Sequence, residues 1–196
     1  MAGNIYDSQM DAYTKNMVER LAVLGYKAMA YAYSKKSFKH RTRNLHDSYG
    51  SAVFVNGKLA FGSIRYFGGV YSRKADKVTK KTGRQTLDDF FQSYSGGAKN
   101  NEIQLVVIAA MYYAGILEAG GLPKRKTTTT KDGKKKRTPP PSRGPGDRYI
   151  VISPARDYIS KHLPEVVAQV NAIHGLRATP KTRVMKGVYL HYKRKG

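Results

Sequence analysis

His40, His46 and Asp47 are the residues of this chain with the most chemistry to offer, and they stand close together on a basic segment. Two imidazoles beside a carboxylate are raw material for a nuclease or a metal centre. The wider pattern argues for something plainer. The five histidines, His40, His46, His162, His174 and His191, are scattered, and no pair stands at helical ligand spacing with a carboxylate third. Asp88 and Asp89 are adjacent, and neighbours on a helix do not face one another, so paired acid–base work is not expected of them. They read as a solvated first helical turn, where the helix dipole favours acids. Glu118, within YYAGILEAGG, has an apolar context and reads as a hydrogen-bonded or interface carboxylate rather than a buried base. The stretch GGVYSRK has glycines and cations but neither the Gly-Lys-Ser/Thr spacing nor the strand–loop–helix frame of a phosphate cradle. No catalytic, metal or cofactor site is expected, and the chain does not read as an enzyme.

Charge is the stronger signal. Of 196 residues, 36 are Lys or Arg and 13 are Asp or Glu, a formal net charge of +23. Such an excess attracts polyanions, nucleic acid above all, because each cation that meets a phosphate releases a counterion. The candidate contacts fall into three groups. The first is Arg73, Lys74, Lys77, Lys80 and Lys81. The second is Lys124, Arg125, Lys126, Lys131, Lys134, Lys135, Lys136, Arg137 and Arg143, and the third is Lys193, Arg194 and Lys195. Fifteen tyrosines offer stacking surfaces, although Tyr13, Tyr31, Tyr33 and Tyr158 fall on helix faces and read first as packing. Cysteine is absent, which excludes disulfides and thiolate metal sites. MAGNIYDSQM lacks the layout of a secretory signal, and the longest apolar run, Leu105 to Leu117, is too short to cross a bilayer. The reading is a soluble protein made inside the cell, with no membrane partner.

These residues need a frame. Asp7 to Phe38 reads as a long amphipathic helix, capped by Asp7 or Ser8. Met10, Tyr13, Met17, Leu21, Leu24, Ala28 and Ala32 form its apolar face, expected to pack in the core rather than against a partner. Thr42 to Tyr49 reads as a turn and a short helical segment. Ser51 to Val55 alternates, Asn56-Gly57 is a type I′ turn signal, and Lys58 to Ile64 returns, which makes a β-hairpin. Residues 65–101 read as an insertion: an exposed basic loop, then a short helix capped by Thr86 and carrying Leu87, Phe90, Phe91 and Tyr94. Glu102 to Ala109 is a buried strand. Residues 122–148 carry four consecutive threonines, KKKR and three consecutive prolines, a flexible basic arm from which no core can be built. Tyr149 to Ile152 is expected as a strand and Pro154 to Ile173 as a helix, with Pro164 a possible kink. Its apolar face is Ile159, Leu163, Val166, Val167, Val170 and Ile173. A basic tail, 177–196, holds one last strand around Val184 to Tyr192. The expected fold is α+β: a small, mainly antiparallel sheet covered by a long N-terminal helix and a C-terminal helix, one domain over 1–176 with basic loop insertions.

The order of elements and two short motifs resemble a family. Tail-completion and neck (head–tail connector) proteins of tailed bacteriophages begin with a long helix, followed by Thr-Gly-x-Leu-x-x-Ser and a β-hairpin. Here Thr42-Arg43-Asn44-Leu45-His46-Asp47-Ser48 precedes SAVFVNGKLAFG, with arginine at position 43 where the family usually has glycine. The family's Tyr-Ala-x-x-x-Glu-x-Gly segment is similar to Tyr113-Ala114-Gly115-Ile116-Leu117-Glu118-Ala119-Gly120. The resemblance spans roughly 8–64 and 102–173. It implies a structural virion protein at the head–tail junction, a subunit of a homo-oligomeric ring stacked on the portal around the DNA channel. Its implied partners are copies of itself, the portal, adjacent neck or tail proteins and genomic DNA bound without sequence preference. By the same resemblance Thr42, Leu45, Ser48, Tyr113, Glu118 and Gly120 are framework residues. The alternative from charge alone is a non-specific nucleic-acid-binding protein of the nucleoid or virion.

Overall fold

Small and aliphatic residues recurring every three or four positions drive the first element, α1 (Ala12–Lys35), which buries Met17, Val18, Leu21, Ala22, Leu24, Gly25, Ala28, Met29 and Ala32 along one stripe. That stripe is core, as expected. The structure is a computed structural model, and it describes residues 12–36, 43–64, 74–94, 102–111, 113–114, 117, 128–129, 135–136 and 151–181. The proposed caps Asp7 and Ser8 and the strand near Val184 lie outside those residues.

Asn56 and Gly57 take φ values of 52° and 76°, the paired left-handed conformation of a type I′ turn, and they join β1 (Tyr49–Val55) to β2 (Lys58–Ile64). β3 (Ile103–Ala109) pairs antiparallel with the other side of β1, giving the sheet order β2-β1-β3. One irregularity between Val53 and Phe54 interrupts the β1–β2 register. β1 is therefore central and buried on both faces, with Val53 toward α1 and Ala52 and Phe54 toward the opposite face. β3 corrects an expectation: its first five residues are only half-buried, and among the described residues it is an edge strand, with no neighbour on its outer side.

One face of the sheet is covered by α1 and by α3 (Ser153–His174), which lie antiparallel. The Tyr13 hydroxyl donates to Asn171 Oδ1 at 3.3 Å, Arg20 Nη1 donates to Gln169 Oε1 at 2.9 Å, and the Tyr31 and Tyr158 rings meet at 5.4 Å. Helix and sheet approach closely at Gly25, where a Cβ would stand 2.8 Å from Leu105 Cδ1 and 2.9 Å from Ser51 Cβ. α3 runs through Pro164 and buries Val167 and Val170, whereas Ile173, assigned by periodicity to the same face, is exposed.

α2 (Gly83–Ser93) covers the opposite face, with Leu87 and Phe91 packed on Ala52, Phe54 and Ile108. Its cap is Thr82, not Thr86. Thr82 Oγ1 accepts the Gln85 N–H at 3.3 Å while Gln85 Oε1 accepts the Thr82 N–H at 2.9 Å, a reciprocal capping box. Thr86 lies one turn inside, its hydroxyl donating to Thr82 O at 2.9 Å. Asp88 and Asp89 are consequently mid-helix, not in a first turn. Asp89 accepts from Lys81 Nζ at 2.5 Å, and Asp88 lies 4.0 Å from Arg84 Nε. Burial raises the Asp88 carboxyl above its ordinary range, against the pull of Arg84.

Two further expectations change. Val151 and Ile152 are not a strand: Ile152 is the N-cap of α3, because Pro154 in the next turn suits a helix start. Tyr149 and Ile150 lie outside the described residues. Within the basic arm, β4 (Thr128–Thr129) pairs antiparallel with β5 (Lys135–Lys136), where only flexible chain was expected. Threonine is a good strand former, and that propensity was outweighed in the sequence by the surrounding charge and proline.

Candidate partner and nucleic-acid interface

The segment from Arg43 to Ser48 is short and polar, yet almost all of it is buried. Leu45 packs with Ala28, Ala32, Tyr49, Met111 and Ala114. Asn44, His46, Asp47 and Ser48 are each at most 3 % exposed. Burial of that many polar groups requires partners, and the fold supplies them. Ser48 Oγ donates to Leu45 O at 2.8 Å, and Ser48 O accepts the Ala110 N–H at 2.9 Å. The Met111 N–H reaches Ser48 Oγ at 3.4 Å. These bonds tie the first motif to the exit of β3, just ahead of the second motif, and the two motifs meet in the buried cluster that holds Leu45 and Ala114. A helical turn follows, Ala114 N–H to Met111 O and Leu117 N–H to Tyr113 O, with Tyr113 and Leu117 packed against the Leu45 cluster. The Tyr49 hydroxyl closes the junction by donating to Val151 O at 2.5 Å.

His46 is held on both sides. Its Nδ1 lies 2.9 Å from Asp47 Oδ1 and its Nε2 lies 2.9 Å from the Tyr33 hydroxyl. A carboxylate only accepts, so the partners assign Nδ1–H to Asp47 and leave Nε2 to accept from Tyr33. Both nitrogens are engaged inside the fold, which leaves neither facing a substrate. Among the described residues no group of three His, Asp or Glu side chains is placed to hold a metal ion.

Burial holds the His46 imidazole below its ordinary value of 6.5, with Arg43 and Lys36 pushing the same way and Asp47 opposing. The folded protein thus resists a proton that the unfolded chain accepts. The contribution to stability is complete above pH 6.5 and is lost as pH falls below it toward the folded value. We expect the urea midpoint of the native protein to fall between about pH 7.5 and about pH 5.5 by more than that of His46→Gln. Equal falls would show that His46 does not carry the acid sensitivity.

Asn44 does a different job. Its Nδ2 donates to Lys74 O at 3.0 Å, and its Oδ1 accepts the Gly83 N–H at 3.2 Å. One buried amide thereby fixes both ends of the segment from Lys74 to Gly83. Within it, Asp76 Oδ1 accepts the N–H of Val78 at 2.8 Å and of Thr79 at 3.1 Å. Asp76 N–H donates to Lys81 O, and Lys80 N–H donates to Asp76 O, both at 2.9 Å. The loop expected to be merely exposed and basic is a built turn.

That turn carries Lys74, Lys77, Lys80 and Lys81, all exposed, so the structure brings four of the expected contacts together. Lys135 and Lys136 form β5. Arg73, Lys124, Arg125, Lys126, Lys131, Lys134, Arg137, Arg143, Lys193, Arg194 and Lys195 lie outside the described residues, as do Thr42, Glu118 and Gly120. The sequence reading missed Asn44, for which no local pattern exists. It also missed Thr82-Gly83-Arg84-Gln85, which is a legible capping-box signature. No protein-family model, curated protein or solved structure matches the chain.

Proposed function

We propose that this chain is a structural subunit of a virion head–tail connector, one copy in a closed ring between portal and tail around the DNA channel. The observation that carries the reading is the backbone at Arg43. The resembled motif has glycine at this position, and here φ is 61°, the left-handed conformation in which glycine is favoured and a side chain costs about 1 kcal/mol. The chain departs from the motif in its side chain, yet its backbone here takes the conformation that glycine favours. The packing of Leu45 with Ala114, Tyr113 and Leu117 adds support, since it brings residues of the two motifs into one buried cluster.

In this reading the α1–hairpin–β3–α3 body supplies two complementary patches that join head to tail, as a closed ring requires. The basic segments face DNA, and phosphate contacts suit a conduit because they are blind to sequence. A bulk nucleic-acid binder is the second reading, favoured by the net charge of +23. Counting chains per assembled particle separates the two, because a ring fixes a small integer and bulk binding does not.

A further inference from the structure

The turn from Lys74 to Gly83 has one residue in an unfavourable place. Lys80 has φ of 57°, in the left-handed region where glycine or asparagine would be less strained. Its side chain is exposed, and so is that of Lys77; neither makes an ion pair or hydrogen bond through its ammonium group among the described residues. The Lys80 backbone helps close the turn, its N–H donating to Asp76 O at 2.9 Å, while its side chain has no role inside the fold, so a lysine held at a position that favours glycine points outward, to a partner its ammonium group reaches. The other charges of the turn are differently placed. Asp76 has one carboxylate oxygen taken by two backbone N–H groups, and Lys81 is paired with Asp89. Lys77 and Lys80 remain as two point charges on long stems, carried by a turn whose neck is closed by Asn44.

We infer that this turn is a pre-formed clamp for the phosphodiester backbone of duplex DNA, with Lys77 and Lys80 as its contacts and Asn44 as the residue that positions them. It rests on the connector reading only in taking DNA as the neighbour. Sequence-independent contact needs cations at fixed positions and no base-reading groups, and the turn offers that. Pre-organisation also removes an ordering cost that a loose basic arm would meet on binding.

The test uses the full-length protein and a random-sequence duplex of about 30 base pairs, with affinity measured across a salt series. The double change Lys77→Ala/Lys80→Ala lowers the steepness of log K against log salt by roughly two, close to one per lost phosphate contact. A control, Lys15→Ala/Lys161→Ala, removes two exposed helix lysines and leaves the slope as it was. Lys80→Gly gives the sharper outcome: thermal stability holds or rises as the backbone strain is relieved, while the slope falls by about one. Asn44→Ala speeds hydrogen exchange of the Val78 to Lys81 amides and weakens binding. If Asn44→Ala does not fold, the lysine variants still decide. An unchanged slope in the Lys77/Lys80 variant overturns the inference and points to an acidic protein partner. An equal loss in the Lys15/Lys161 control overturns it in favour of bulk charge. Either result leaves the ring count untouched, so failure here is distinct from failure of the connector reading.

Discussion

Phe54→Ala is expected to destabilise the fold by about 3–5 kcal/mol and to free α2 from the sheet. Phe54 is fully buried on the central strand and packs with Leu87 and Phe91 of α2, and its ring meets Tyr94 at 4.8 Å. Truncation leaves a cavity between the sheet and α2. Collapse of α2 onto the sheet is limited, because Asn44 fixes its first residue, Gly83. Urea denaturation gives the magnitude and hydrogen exchange of α2 amides gives the location. A loss below about 1 kcal/mol would show that α2 is an appendage rather than the cover of this face.

Gly83→Ala is expected to cost about 3 kcal/mol, the upper part of the usual overpacking range. At most helix positions glycine to alanine stabilises, by about 0.5–1 kcal/mol. Here the sign reverses. A Cβ at Gly83 would stand 1.8 Å from Asn44 O and 2.7 Å from Asn44 C, and both are backbone atoms that cannot rotate aside. Either α2 or the Asn44 segment must move, and the Gly83 N–H to Asn44 Oδ1 bond goes with it. The same variant should accelerate exchange of the Val78 and Thr79 amides, whose turn is anchored at that point. A stability equal to or above the native value would mean that the Asn44–Gly83 contact does not close the turn.

Both positions show where the sequence was legible and where it was not. Periodicity placed α1 and α3, and Asn56-Gly57 placed the hairpin, because each signal depends on residues adjacent in the chain. Leu87, Phe90, Phe91 and Tyr94 were legible as a helix, but not the sheet face they cover, since the contact with Phe54 is long-range and no local pattern specifies it. Thr86 places the cap four residues too late because threonine suits a cap at either position, and only the reciprocal Thr82–Gln85 pair distinguishes them. The polar segment Arg43–Ser48 read as a turn, and only tertiary structure reveals that Asn44, His46 and Ser48 are buried with partners from α1, the basic turn and β3's exit. Charge marked Lys74, Lys77, Lys80 and Lys81 as contacts; it did not reveal that a single asparagine holds them in one turn, or that Lys80 stands in a left-handed conformation.

The connector reading is tested most directly by the number of copies of this chain in purified particles, measured by quantitative mass spectrometry against the portal protein. The account predicts a small fixed integer, about six or about twelve per particle, as closed cyclic assembly at one vertex requires. Hundreds of copies, or absence from the particle, would contradict it and leave a bulk nucleic-acid binder as the better description.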